Sequence, residues 1–158
     1  MKKRNLLILF LLMLMVFSAC NNNKKEDLEI DLPELLETME EASKWEGMMN
    51  IGKKHLTNLY AIDEDEVTAF IGVMKTDGIS ADEIIIIEAK DAKSAEDLEK
   101  KLRTRLDAKA TEAKDYLPEE YKVIEEAEIL RKDKFLTLIV ATNAEELADI
   151  FKEAVKFE

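Results

Sequence analysis

Apolar residues recur along this chain with two periods, and the switches between them mark its elements. Leu32, Leu35, Leu36, Met39 and Ala42 share one helical face and predict a helix over residues 33–45. Pro33 suits its first turn, where a missing N–H costs little, and Gly47 is the expected stop. Residues 55–61 predict a short helical turn, and the acidic run 63–66 breaks the pattern. Residues 67–76 alternate and are rich in β-branched side chains, predicting a strand that ends at the turn Asp77-Gly78. Residues 83–89 hold four consecutive isoleucines bounded by acids, the pattern of a strand covered on both faces. Alternation sends Ile84 and Ile86 to one face and Ile85 and Ile87 to the other.

Ser94-Ala-Glu-Asp97 has the form of a capping box. It opens a predicted helix with Leu98, Leu102, Leu106, Ala110 and Ala113 on one face, ending near Leu117 because Pro118 disfavours helix before it. Residues 127–131 and 135–141 predict two strands joined around Lys132-Asp133. Asn143 is the expected cap of a closing helix that carries Leu147, Ile150, Ala154 and Val155. The order α-ββα-ββα predicts an α+β domain with a mainly antiparallel sheet of about four strands. Its two later helices are expected on one face. Leu35, Leu36, Met39, Met48, Met49 and Ile51 are expected to cover the other, with another chain as the alternative cover, since large exposed apolar patches are rare on monomers.

The first residues follow a different logic. Lys2, Lys3 and Arg4 precede an unbroken apolar run, residues 6–17, then Ser18, Ala19 and Cys20. This is the layout of a secretory leader. As a helix, residues 6–20 would reach only about 22 Å, short of the roughly 30 Å of a hydrocarbon core. Phe17 is too bulky for the small-x-small site of an ordinary leader peptidase. Phe17-Ser18-Ala19-Cys20 instead resembles a bacterial lipobox, with Phe17 in place of the usual Leu. That resemblance implies that the Cys20 thiol receives a diacylglyceryl group and becomes the new N-terminus, with palmitate-type acyl chains holding it in the membrane. The expected organisation is a signal peptide at 1–19, a polar tether at 20–32 and a single α+β domain at 33–158. Fully extended, the twelve residues 21–32 span at most about 40 Å.

Charge and composition narrow the classes of function. The chain has 23 Lys+Arg against 35 Asp+Glu, a formal net charge of -12, and losing the leader makes it more negative. Nucleic-acid binding through phosphates and a polybasic grip on anionic lipid are both excluded as expectations. Cys20 is the only cysteine and His55 the only histidine, so neither an internal disulfide nor a Cys/His metal cluster is predicted.

Candidate chemistry is sparse. His55, beside Lys53 and Lys54, reads as a solvated residue near a helix start. Ser43, Ser80 and Ser94 lie in no nucleophile-elbow motif. An EF-hand loop from Asp63 would need Gly and Glu where the chain has Thr68 and Met74. Residues 63–66 therefore read as an acidic cap before a strand, with a weak divalent-cation site as the alternative. Asp82, Glu83 and Glu88 read as solvated strand ends. Asp97/Lys101 and Glu99/Arg103 read as surface i,i+4 pairs. Trp45, Tyr60, Tyr116 and Tyr121 are core or boundary residues on this reading, and a binding surface on the other.

Four segments carry a family resemblance: Leu56-Thr-Asn-Leu-Tyr-Ala-Ile-Asp63, Ser80-Ala-Asp-Glu-Ile84, Tyr116-Leu-Pro-Glu-Glu-Tyr121 and the strand at 135–142. Together they span about residues 56–157. They resemble a family of uncharacterised bacterial lipoproteins, mostly from Firmicutes, that carry a domain of unknown function (DUF4358). Members of that family often have Gly where this chain has Ala61. The resemblance implies location and fold and assigns no reaction, cofactor or catalytic residue. The expected function is a lipid-anchored envelope module, on the extracytoplasmic face of the cell membrane, that binds a protein or envelope partner without catalysis. A carboxylate-dependent envelope hydrolase and a small-ligand-binding accessory lipoprotein are the alternatives.

Overall fold

The computed structural model describes residues 28–157. Its elements are α1 (Leu32–Ser43), β1 (Met49–Asn50), α2 (Lys53–Tyr60), a 3-10 turn (Glu64–Glu66), β2 (Val67–Met74), β3 (Glu83–Ala89), α3 (Ala92–Ala113), α4 (Pro118–Glu125), β4 (Glu128–Lys132), β5 (Phe135–Val140) and α5 (Ala144–Ala154). The strands form one antiparallel sheet in the order β1-β2-β3-β5-β4. The α+β class and the antiparallel sheet agree with the sequence pattern. The sheet has five strands because the chain after α1 adds a two-residue strand, too short to leave a period of its own.

β3 sits between β2 and β5, and Ile84, Ile85, Ile86 and Ile87 are all wholly buried. Ile85 and Ile87 join Leu136, Leu138 and Val140 under α2, α3 and α4. Ile84 and Ile86 join Val73, Phe135 and Ile139 under α1 and α5. Each such side chain contributes roughly 1.5–3 kcal/mol when removed from water. The expectation that the two later helices share a face is therefore corrected: α3 and α5 lie on opposite faces. Both faces of β3 are apolar, and one helical layer would leave half of its isoleucines wet. From the N-terminal segment, Leu35, Leu36 and Met39 cover the face opposite α3 as expected but share it with α5, whereas Ile51 and Met49 cross to the α3 side. Gly72 permits that crossing. A Cβ there would lie 2.4 Å from the Ile84 carbonyl oxygen and 2.9 Å from Ile51 Cδ1.

Local chemistry sets the ends. The Asp31 carboxylate accepts from Glu34 N–H to cap α1, and Leu28 and Ile30 pack on the α1/α5 core. The last part of the stretch read as tether thus belongs to the fold. α1 stops at Lys44 in a left-handed conformation (φ 55°), ahead of Gly47. α3 starts at Ala92, because Asp91 and not Ser94 is the cap: its carboxylate accepts from Ser94 N–H at 2.7 Å. Pro118 ends nothing and instead opens α4 as a first-turn residue, a helix the sequence pattern missed. Asn143 occupies the cap position of α5, but its amide donates to Glu146 at 2.9 Å and accepts no backbone N–H.

Ala61 ends α2 in the left-handed region (φ 53°). A side chain in that conformation costs about 1–2 kcal/mol, partly offset by the lower chain entropy of alanine in the unfolded state. Ala61→Gly should therefore stabilise the domain by about 0.5–1 kcal/mol in urea unfolding. A destabilised variant would show that the Ala61 methyl contributes more by packing than the backbone strain takes away.

Candidate functional site

Glu83 opens the central strand, and period-two alternation puts it on the same face as Ile85 and Ile87, toward α3. It has no exposed surface (0%), so it is not the solvated strand end the sequence suggests. Four bonds hold its carboxylate. Tyr60 Oη, from the end of α2, donates to Oε1 at 2.8 Å. Arg105 donates through Nε to Oε1 at 3.3 Å and through Nη2 to Oε2 at 2.8 Å, and Lys109 Nζ donates to Oε2 at 2.9 Å. The Arg105 guanidinium also lies 5.5 Å from the centre of the Tyr60 ring.

Arg105 and Lys109 reach this carboxylate because they stand on the buried stripe of α3. Leu98, Leu102, Arg105 and Lys109 succeed one another at helical spacing, and the two cations are only 10% and 11% exposed. That was the legible signal: two cations on an apolar stripe, and one acid in phase with a buried strand face.

Burial alone would raise the Glu83 pKa, but the charges and hydrogen bonds of Lys109 and Arg105 outweigh it and hold the carboxyl below its usual range. Burial, reinforced by the Glu83 charge, pushes the Tyr60 phenol well above its ordinary value, so it remains a neutral donor. A general base works best with a pKa near the operating pH. Glu83 is held ionised, out of contact with solvent, and acts instead as an electrostatic anchor.

Arg105 and Lys109 also line a cleft of about 300 Å³ between the β2–β3 loop and the α3–α4 corner. Met74, Ile79, Ala113, Leu117 and Ile124 supply its apolar wall. Asp77 Oδ1 accepts from Ile79 and Ser80 N–H to shape the loop, with Gly78 in the left-handed region (φ 74°). Glu120 Oε2 accepts from Ala81 N–H at 2.6 Å and ties the loop to α4. Ser80 Oγ donates to Asp82 at 2.8 Å. At the margin, Ile79 is 65% exposed, and Tyr116, next to Leu117 in sequence, is 85% exposed.

The other candidates lie apart from this cleft. His55 Nδ1 accepts from Gly52 N–H at 3.0 Å and closes the start of α2. Residues 63–66 do form an acidic cap before β2, where Glu66 accepts from Asp63 N–H at 2.7 Å and binds Lys101 on α3. Lys101 therefore does not pair with Asp97, which pairs with Lys100. Glu99 does pair with Arg103 at 2.7 Å and adds Arg131 of β4 at 2.7 Å. Glu88 binds Lys134 at 2.9 Å. Ser43 donates to the Glu40 carbonyl. Trp45 and Tyr121 are half-buried against the two cores. Among the described residues no cluster of three or more His, Cys, Asp or Glu is placed to hold a metal ion, and no helix is long and apolar enough to cross a membrane. Cys20, the expected lipidation site, lies outside the described residues.

A family model described as Domain of unknown function (DUF4358) matches residues 40–141. The chain belongs to this DUF4358 family. No curated protein and no solved structure gives a significant match. The DUF4358 span contains the whole sheet, Tyr60, Glu83 and every residue of the cleft, whereas α5 and most of α1 fall outside it.

Glu83→Gln should destabilise the domain by about 3–5 kcal/mol at neutral pH, because it leaves two largely buried cations uncompensated. The depressed Glu83 pKa means that its stabilisation is complete above the unfolded value of about 4.3 and is lost as pH falls through the lower folded value. The gap in midpoint between wild type and variant should accordingly narrow in acid. A gap that stayed constant from neutral pH down to about pH 2 would show that Glu83 contributes through shape alone.

Proposed function

We propose that this protein is a lipid-anchored lipoprotein of the bacterial cell envelope, held through Cys20 on the extracytoplasmic face of the cell membrane, and that its DUF4358 domain is a non-catalytic binding module whose site is the α3–α4 cleft. One observation carries the binding reading: Arg105 and Lys109 line an open cleft while a wholly buried carboxylate holds them in place. Fixing two long cationic side chains in advance lowers the entropy a ligand must remove on binding. The carboxylate that would be the natural candidate for hydrolytic chemistry is ionised and enclosed, which favours binding over the hydrolase alternative. Ser80 uses its hydroxyl on Asp82, and the residues lining the cleft include no histidine to act as its base.

The anchoring reading rests on the basic, apolar and small-residue layout that ends at Cys20. Because the fold already includes Leu28, the eight residues from Cys20 would span at most about 28 Å, and the domain would sit against the membrane surface. Its acidity argues against direct electrostatic adhesion to anionic lipid, so the anchor would do the holding.

Cys20→Ala should abolish incorporation of labelled palmitate and leave an unprocessed precursor or a released protein. Equal labelling of variant and wild type would refute the anchor. For the cleft, a mixed panel of neutral, cationic and anionic fragments should include at least one class that shifts the amide resonances of Ala81 and Leu117. A panel in which no class does so would remove the cleft as a binding site.

A further inference from the structure

We infer that the cleft takes a small organic carboxylate, its acid group against Arg105 and Lys109 and its apolar body against Ile79, Leu117 and Ile124. This inference rests on the cleft being the binding site and names the class of ligand.

Charge at the floor of the cleft points to an anion. Two cations face one carboxylate there, and the third partner, Tyr60, is neutral, so the cluster carries one uncompensated positive charge. An ammonium has three N–H donors and a guanidinium five. Glu83 takes one from Lys109 and two from Arg105, so donors remain on both groups, and both groups line the open space. With the side chains 10% and 11% exposed, water screens this excess charge only weakly.

The neighbouring acids do not take its place. Glu112 is exposed, forms no ion pair among the described residues, and acts on Arg105 through the longer-range field. Glu120 uses Oε2 on Ala81 N–H. These two acids do limit the charge of the guest. Over the whole lining Lys75, Arg105 and Lys109 are balanced by Glu112, Glu120 and the Glu83 beneath them, so the positive excess is confined to the Arg105–Lys109 floor and matches a monoanion better than a phosphate dianion. The remaining wall is aliphatic, and about 300 Å³ is the lower end of the range for small-molecule sites. An acid group with a compact apolar body satisfies both halves of the cleft.

The test uses the full-length protein, isotopically labelled in detergent micelles, titrated with N-acetyl-leucine, N-acetyl-leucinamide and inorganic phosphate. N-acetyl-leucine should shift the amides of Ala81, Arg105 and Leu117. The amide, which has the same apolar body and no charge, should bind at least about tenfold more weakly, as should phosphate. Lys109→Met removes the excess charge while leaving Glu83 paired with Arg105, so it should fold and lose about tenfold or more in affinity for N-acetyl-leucine, and Lys109→Arg should restore it. Equal binding of acid and amide, tighter binding of phosphate, or unchanged binding by Lys109→Met would overturn the carboxylate assignment. If only neutral or cationic fragments shift Ala81 and Leu117, the binding site stands and this inference fails. Should Lys109→Met not fold, the comparison of acid with amide on the unaltered protein decides the question alone.

Discussion

A carboxylate removed entirely from water must find its compensation inside the protein, and in this domain Glu83 finds it in three side chains from two helices at once. The end of α2 brings Tyr60, and two successive turns of α3 bring Arg105 and Lys109. The cluster joins the first residue of the central strand to the helices that cover one sheet face. Isolated charges in such a place would cost several kcal/mol each, so β3, α2 and α3 must dock together or not at all. Charge compensation sets the relative position of β3 and α3 more narrowly than apolar contact would, because aliphatic side chains tolerate sliding and a multiply bonded carboxylate does not.

Around this anchor the sheet is two-sided. β3 presents isoleucine to both faces, and the chain supplies two separate helical layers to meet them, α2, α3 and α4 on one side and α1 with α5 on the other. The layers differ in character. The α1/α5 layer is a conventional apolar cover. The α3 layer departs from an apolar stripe at two positions, and the cleft opens where it does so. The DUF4358 match includes the departure and excludes most of the conventional cover, so the unusual feature belongs to the part of the chain that defines the family.

The surface ion pairs contribute differently from the Glu83 cluster. Lys101–Glu66 and Arg131–Glu99 link α3 to the turn before β2 and to β4, but all four side chains keep substantial contact with solvent. Pairs of this kind are worth at most about 1 kcal/mol, and salt screens them. They adjust the seat of α3 on a position that Glu83 and the apolar core have already determined.

By itself the sequence determined the α+β class, the strand 83–89 with its two-faced isoleucine run, the paired strands near 127–141, and the helices at both ends, because periodicity and turn chemistry are local properties. It also contained the basic, apolar and small-residue run that ends at Cys20. It did not reveal β1, since two residues have no period, nor α4, since a proline that ends one helix and a proline that begins another look alike from one side. It placed Ser94 as a cap, whereas Asp91 caps the helix three residues earlier by accepting from Ser94 N–H. Above all it read Glu83 as a solvated strand end and did not single out Arg105 or Lys109, because an acid beside a strand and cations along a helix are usually solvated. Only the tertiary structure decided that α3 and α5 take opposite faces and that residues 60, 83, 105 and 109 converge. Burial is a property of what packs on top of a residue. No local pattern encodes which of two equally apolar sheet faces a helix will cover.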